Sequence, residues 1–241
     1  MGNVHVNVSL HGFKPESHNR FTGDNTAFQR TVSNIKQLSE HKLLQGLLVT
    51  PNRFAQVEEY KKICEFAIQN KASYVLMNPL SSLGRGVKSK KKAAAPYETM
   101  CKIKTATSKF NNHIQIVYIR FPNDRLPLAS CEAGNIIYVL VNGDVAICAY
   151  LVFATETPNS KHDTNEFIVG NILHHTDIAE RLDNYKLCDR YILGNNEECK
   201  TCHLNDACGK GCPAAVIASG KQIGAIDSEV CPIVNSKMHK N

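Results

Sequence analysis

Ten of the 241 residues are cysteine, and four of them, Cys199, Cys202, Cys208 and Cys212, fall within fourteen positions. The first pair, Cys199-Lys-Thr-Cys202, has the separation at which a loop can wrap one metal and present both sulfurs to it. Gly209 and Gly211, flanking Lys210 between Cys208 and Cys212, allow the tight backbone such wrapping needs. Cys231-Pro232 follows, and Cys131 and Cys148 precede. No basic-then-apolar signal segment opens the chain, so reduced cytoplasmic thiols, and with them metal ligation rather than a disulfide framework, are the expectation.

Positioning these thiols falls to two kinds of element. Asn135–Val141 and Asp144–Tyr150 flank Asn142-Gly143, which reads as a hairpin with a two-residue turn. Its strands would bring Cys131 and Cys148 towards one site. Upstream, Val4–Leu10 is β-branched and alternating, a helix is expected from Ala27 to Leu38 with Thr26 as its cap, and Leu47–Thr50 is a second strand. A helix over Phe54–Ile68 and a strand at Tyr74–Met77 complete a β-α-β-α-β alternation, which implies an α/β domain with a parallel sheet. Ser81–Pro96 is rich in Ser, Gly, Lys and Ala and reads as a loop, followed by a helix near Tyr97–Lys109 and a strand pattern over His113–Phe121.

The formal charge of +6 owes much to Lys88, Lys90, Lys91 and Lys92, a run that reads as a solvated loop. No aromatic residues interleave it, so nucleic acid is not an expected partner. The longest apolar runs, such as Ile136–Val141, stop short of the ~20 residues of a membrane span, so no membrane association is expected either.

The order Cys131, Gly143, Cys148, then Cys199-x2-Cys202-x5-Cys208-x3-Cys212 and finally Cys231 resembles the SPASM domain, the seven-cysteine extension of radical S-adenosylmethionine (SAM) enzymes. Phe167–Ile172 and Gly211-Cys212-Pro213-Ala214 share in the likeness, which covers about Cys131 to Pro232. The resemblance implies two auxiliary [4Fe–4S] clusters: Cys199, Cys202, Cys208 and Cys231 on one, and Cys131, Cys148 and Cys212 on the other, whose remaining position it does not assign. A single structural zinc is the alternative, but it uses four thiolates and leaves three of the seven without a role. Cys188, just upstream of the loop, could serve as the further ligand of the three-cysteine site but reads first as a buried free thiol; Cys64 reads as core, and Cys101 has no partner at ligand spacing.

The front of the chain resembles the latter half of a radical SAM barrel. Val8-Ser9-Leu10-His11-Gly12 is similar to the fourth strand of that (β/α)6 partial barrel, with His11 in place of the usual acid. Glu16–Arg20, Gly23 and Ala27-Phe28 follow the same pattern, and Pro79–Gly86, ending Gly84-Arg85-Gly86, is similar to the exit from the sixth strand. The resemblance would put Ser9 on the SAM ribose side; as a residue, Ser9 reads first as a strand-end serine satisfying backbone. His11 and His18 read as solvated loop residues, and Arg85 as a strand-end or exposed residue.

The expected organisation is therefore a partial radical SAM barrel over residues 1–95, a connecting helix and strand over 96–125, and a SPASM domain over 126–241. The triplet Cys-x3-Cys-x2-Cys, which radical SAM enzymes use to hold the SAM-binding cluster, is absent from the sequence. The chain thus reads as a shortened relative of a peptide- or protein-modifying enzyme, with SAM a cofactor only of the full-length parent and a separate N-terminal radical SAM fragment as a partner. A non-enzymatic iron–sulfur or zinc module for electron transfer or peptide recognition is the rival reading.

Overall fold

The computed structural model describes residues 4–84, 86–123 and 125–234; Arg85 lies outside them. The chain divides into two compact units, one of residues 1–80 and 89–122, the other of 81–88 and 123–241. No helix among the described residues is long and apolar enough to cross a membrane.

The first unit is a four-stranded, all-parallel sheet in the order β1 (Val6–Ser9), β2 (Leu44–Val49), β3 (Tyr74–Met77), β4 (Gln115–Tyr118). The strand pattern read over His113–Phe121 thus supplies a fourth member of the same sheet. Alternation sorts each strand onto two faces. Leu47, Val49, Val75, Met77 and Ile116 point to one face and bury against Ile35 of α2 (Ala27–Glu40), Ile63, Cys64 and Ala67 of α3 (Val57–Gln69), and Met100 and Ile103 of α5 (Tyr97–Thr107). Cys64 is fully buried there, and burial pushes its thiol up to about 12, which fits its reading as core.

The opposite face carries two rows in register, Asn7, Gly46, Tyr74 and Gln115, then Ser9, Leu48, Leu76 and Val117. Gly46 is required in the first row: a Cβ there would come within 2.6 Å of the Tyr74 ring, which crosses it so that the Tyr74 hydroxyl meets Asn7 Oδ1 at 2.8 Å.

Several local expectations change. A helix α1 (Pro15–Thr22) follows β1, with Pro15 in its first turn, where the missing N–H costs nothing. Thr26 does not cap α2; it precedes the helix with its own N–H and hydroxyl both donated to Asp24 Oδ1. The helix read from Phe54 starts at Val57, because Asn52 and the capping box of Gln56 and Glu59 hold the chain before it. The lysine run is helical as α4 (Gly86–Ala93), anchored by Ala93 and exposing Lys88, Lys91 and Lys92, so the loop reading of that run is corrected.

The second unit centres on a three-stranded antiparallel sheet, β5 (Tyr138–Val139), β6 (Asp144–Ala146) and β7 (Ile168–Asn171). Helix α6 (Ala149–Thr155) packs on α10 (Pro213–Ala218), and Leu151, Ala154, Phe167, Ala214 and Ile217 form the core between them and the sheet. Three short helices, α7 (Ile178–Asn184), α8 (Leu187–Arg190) and α9 (Glu197–Lys200), link β7 to the cysteine loop. The hairpin is shorter than its apolar run, and its loop has three residues: Gly143 N–H closes a turn on Leu140 C=O, with Gly143 alone of the loop at positive φ. Asn142 instead uses its side chain, accepting the Asp144 N–H. Cys148 leaves the strand to become the N-cap of α6.

Candidate metal centre

Two groups of cysteines emerge from this second unit. Cys199, Cys202, Cys208 and Cys231 line one apolar cavity of about 70 Å³, together with Leu128, Lys210 and Asp227 among others. Since a water needs about 10–15 Å³, the space admits a group of several heavy atoms. Among the described residues, no three His, Cys, Asp or Glu stand at the spacing of a single metal ion.

Local structure explains how the four thiols are held. Asn196 caps α9 by accepting the Cys199 N–H at 2.9 Å, and its amide reaches Gly224 C=O at 2.7 Å. Cys202 Sγ accepts the Leu204 N–H and Cys208 Sγ the Lys210 N–H, both at 3.4 Å. Amide donors aimed at sulfur fix the direction in which each side chain is presented. Buried Asp227 then ties the loop to the last cysteine: its Oδ2 accepts the Cys212 N–H at 3.1 Å and its carbonyl the Cys231 N–H at 2.9 Å.

Cys131, Cys148 and Cys212 make the second group, each packed against the core of the unit. Cys148 and Cys212 are the N-caps of the neighbouring helices α6 and α10. Cys131 is brought in by two backbone links: Gly134 N–H to Ile147 C=O at 3.0 Å, beside Cys148, and Gly209 N–H to Leu128 C=O at 2.7 Å. Burial raises the Cys131 thiol above its ordinary value, and Cys212 and Cys148 raise it further. A thiol opposed in this way is one whose ionisation a positively charged metal group would relieve. The Tyr150 phenol borders the same group and is likewise pushed up, first by burial and then by Tyr138, Cys148 and Cys212.

Of the seven cysteines, four thus line one cavity and three pack against one core. The donor chemistry fits thiolate-held clusters. Cys188 is exposed, which corrects its reading as a buried thiol: it lies on α8, whose buried position is Leu187. Asp227, Asn196 and Lys210 carry no motif signal and emerge only from the folded loop.

In the first unit Ser9 is exposed at the end of β1, on the face away from the helices. His11 and His18 are not solvated. His18 is 1% exposed and His11 is largely buried, because the loop after β1 folds back over the strand ends. His11 Nδ1 accepts the Thr50 N–H at 3.0 Å and His18 Nδ1 accepts the His11 N–H at 3.1 Å, so each ring carries its proton on Nε2 when neutral. Burial, then the neighbouring His18, lowers His11 to about 4, and burial also lowers His18. Asn52 and Glu59 complete this network, Asn52 donating to His11 C=O and Glu59 accepting from the Phe13 N–H and the Ser17 hydroxyl.

No family model matches the sequence, and no curated protein matches it. Among solved structures the fold is similar to Streptococcus suis SuiB bound to S-adenosylmethionine (TM-score 0.63, 14% identity, 89% of this chain and 51% of that one). SuiB bound to its precursor peptide SuiA gives a TM-score of 0.65 at 14% identity over 93% of this chain and 52% of that one. Native anSMEcpe with bound AdoMet gives 0.61 at 15% identity over 99% and 65%. At these identities the likeness is one of fold: α/β, with a parallel sheet and helices. The chain spans between about half and two thirds of the length of these structures.

Proposed function

We propose that this chain is the auxiliary-cluster part of a radical SAM system that modifies a peptide or protein, and that it binds two [4Fe–4S] clusters. Cys199, Cys202, Cys208 and Cys231 hold one; Cys131, Cys148 and Cys212 hold three positions of the other. The observation that carries this reading is the partition of seven cysteines into a cavity lined by four thiols and a separate group of three. The fold likeness to SuiB, solved with SAM and with a precursor peptide, supports a peptide as substrate and the first unit as part of a barrel wall.

When bound, such clusters accept or pass on single electrons. The residues of this chain hold the thiolates, keep water from them with the apolar lining of Leu128, Ile226 and Ile233, and fix Cys212 and Cys231 through Asp227. None of the ten cysteines forms the triplet that holds a SAM-binding cluster, so SAM cleavage is not assigned to any residue of this chain.

Reconstitution with iron and sulfide under anaerobic conditions should give brown protein with about eight irons per chain, and C202A should keep about four. Colourless protein holding one tight zinc would overturn the reading. Supplied with SAM and dithionite, the reconstituted chain alone should form no 5′-deoxyadenosine above a protein-free control; formation of it would show that these residues suffice for cleavage.

A further inference from the structure

Within the cysteine loop, one long side chain occupies a place better suited to glycine. Lys210 sits between Gly209 and Gly211 at φ +66°, in the left-handed region that disfavours side chains. Its ammonium is then fixed at two points, donating to Asn205 C=O at 2.6 Å and to Asn205 Oδ1 at 2.7 Å. The stem lies over Gly194, where an added Cβ would come within 2.8 Å of Lys210 Cδ. The backbone N–H of the same residue donates to Cys208 Sγ, and among the described residues lining the four-cysteine cavity Lys210 is the basic one. A flexible lysine held this way is a charge kept at a chosen place, since its rotamer freedom has been given up without gaining solvent.

We propose that Lys210 is a positioning residue that sets the redox potential of the four-cysteine centre, its ammonium favouring the more negative, reduced state of the group held there. The inference rests on the iron–sulfur reading of that cavity. Of the lining acids, Asp227 accepts the Cys212 N–H and Glu198 is exposed to solvent, so removing the Lys210 charge takes away the cation of this lining and leaves its anions in place.

The test is an EPR-monitored titration of the reconstituted full chain with dithionite, in which each centre takes up one electron and no bond is made or broken. K210G removes the charge and relieves the backbone; K210M removes the charge alone; K210R keeps it. In K210G and K210M, one of the two midpoints should fall by at least ~59 mV, a tenfold loss in the equilibrium constant for one-electron reduction, while the other stays. K210R should leave both in place, and all three variants should keep full iron. Unchanged midpoints in iron-replete K210G and K210M would overturn the inference, as would loss of iron from both, which would make Lys210 an assembly residue. A wild-type chain that binds no iron would instead sink the cluster reading itself, and the two failures are told apart by colour and iron content before any titration.

Discussion

Replacing Gly209 by alanine is expected to strip iron from both cysteine groups and to lower the stability of the second unit by more than about 3 kcal/mol, the upper end of ordinary overpacking. An added Cβ would fall 2.2 Å from the Ser130 backbone nitrogen and 2.3 Å from its Cα, contacts that no side-chain rotation relieves because both partners are backbone. The hydrogen bond from Gly209 N–H to Leu128 C=O clamps this same close approach. That approach joins the loop bearing Cys208 and Cys212 to the segment ending at Cys131, so separating them dismantles the three-thiol group and displaces one wall of the four-thiol cavity. Gly134 provides the control. It has a positive φ and lies three residues from Cys131, yet a Cβ there would have nothing within 4 Å. G134A should cost only the backbone term of a side chain at positive φ, about 1–2 kcal/mol, and keep its iron. Iron per chain and thermal midpoints of the two variants give the comparison; G209A protein with wild-type iron would remove the clamp from the account.

The clamp also marks how far the sequence could be read. Four thiols in fourteen residues and two flanking glycines are signals of type and spacing, visible before folding. What Gly209 presses against is not: Ala129 and Ser130 lie some eighty positions away and belong to no motif. The parallel strands were legible because short apolar runs such as Tyr74–Met77 alternate with helices. Strand length was less so. Ile136, Ile137 and Val141 have the β-branched composition of strand residues but are exposed, and only Tyr138 and Val139 pair. Propensity marks what fits a pleated surface, whereas pairing decides whether one exists.

Likewise, the apolar run Ala149–Phe153 has no periodicity that separates a strand from a buried helix, and packing on α10 makes it helical. Helix α1 was within reach, since Pro15 followed by Glu16 is a helix-start signal. The two histidines were not. His11 and His18 sit in a polar stretch, and their burial depends on Glu59, a helix-start acid 41 positions beyond His18, whose carboxylate takes up the Phe13 N–H and the Ser17 hydroxyl and draws the loop inward.

That network carries the second large effect, a loss of protection in the first unit on mild acidification. His11 is held neutral in the fold at about 4, below the ordinary value of 6.5, by burial first and by His18 second; His18 is lowered by burial. A folded value below the unfolded one means that the unfolded chain binds the proton more readily, so stability is complete above about pH 6.5 and falls as pH drops towards 4. For His11 the full loss is about 3 kcal/mol at 1.36 kcal/mol per pH unit, and His18 adds to it in the same direction. Protonation also removes an acceptor: Nδ1 of His11 could no longer take the Thr50 N–H, nor Nδ1 of His18 the His11 N–H. Hydrogen exchange of peptides covering 6–52, followed by mass spectrometry at pH 7 and 4.5 after correction for intrinsic rates, should show protection lost selectively around Leu10 and Thr50. Asparagine places an amide oxygen where each Nδ1 accepts, but does not titrate. The double variant H11N/H18N should therefore keep protection nearly constant between those pH values, each single variant retaining part of the dependence. Wild-type protection equal at both pH values, or an equal loss in the double variant, would show that these buried histidines do not control the acid response of the sheet.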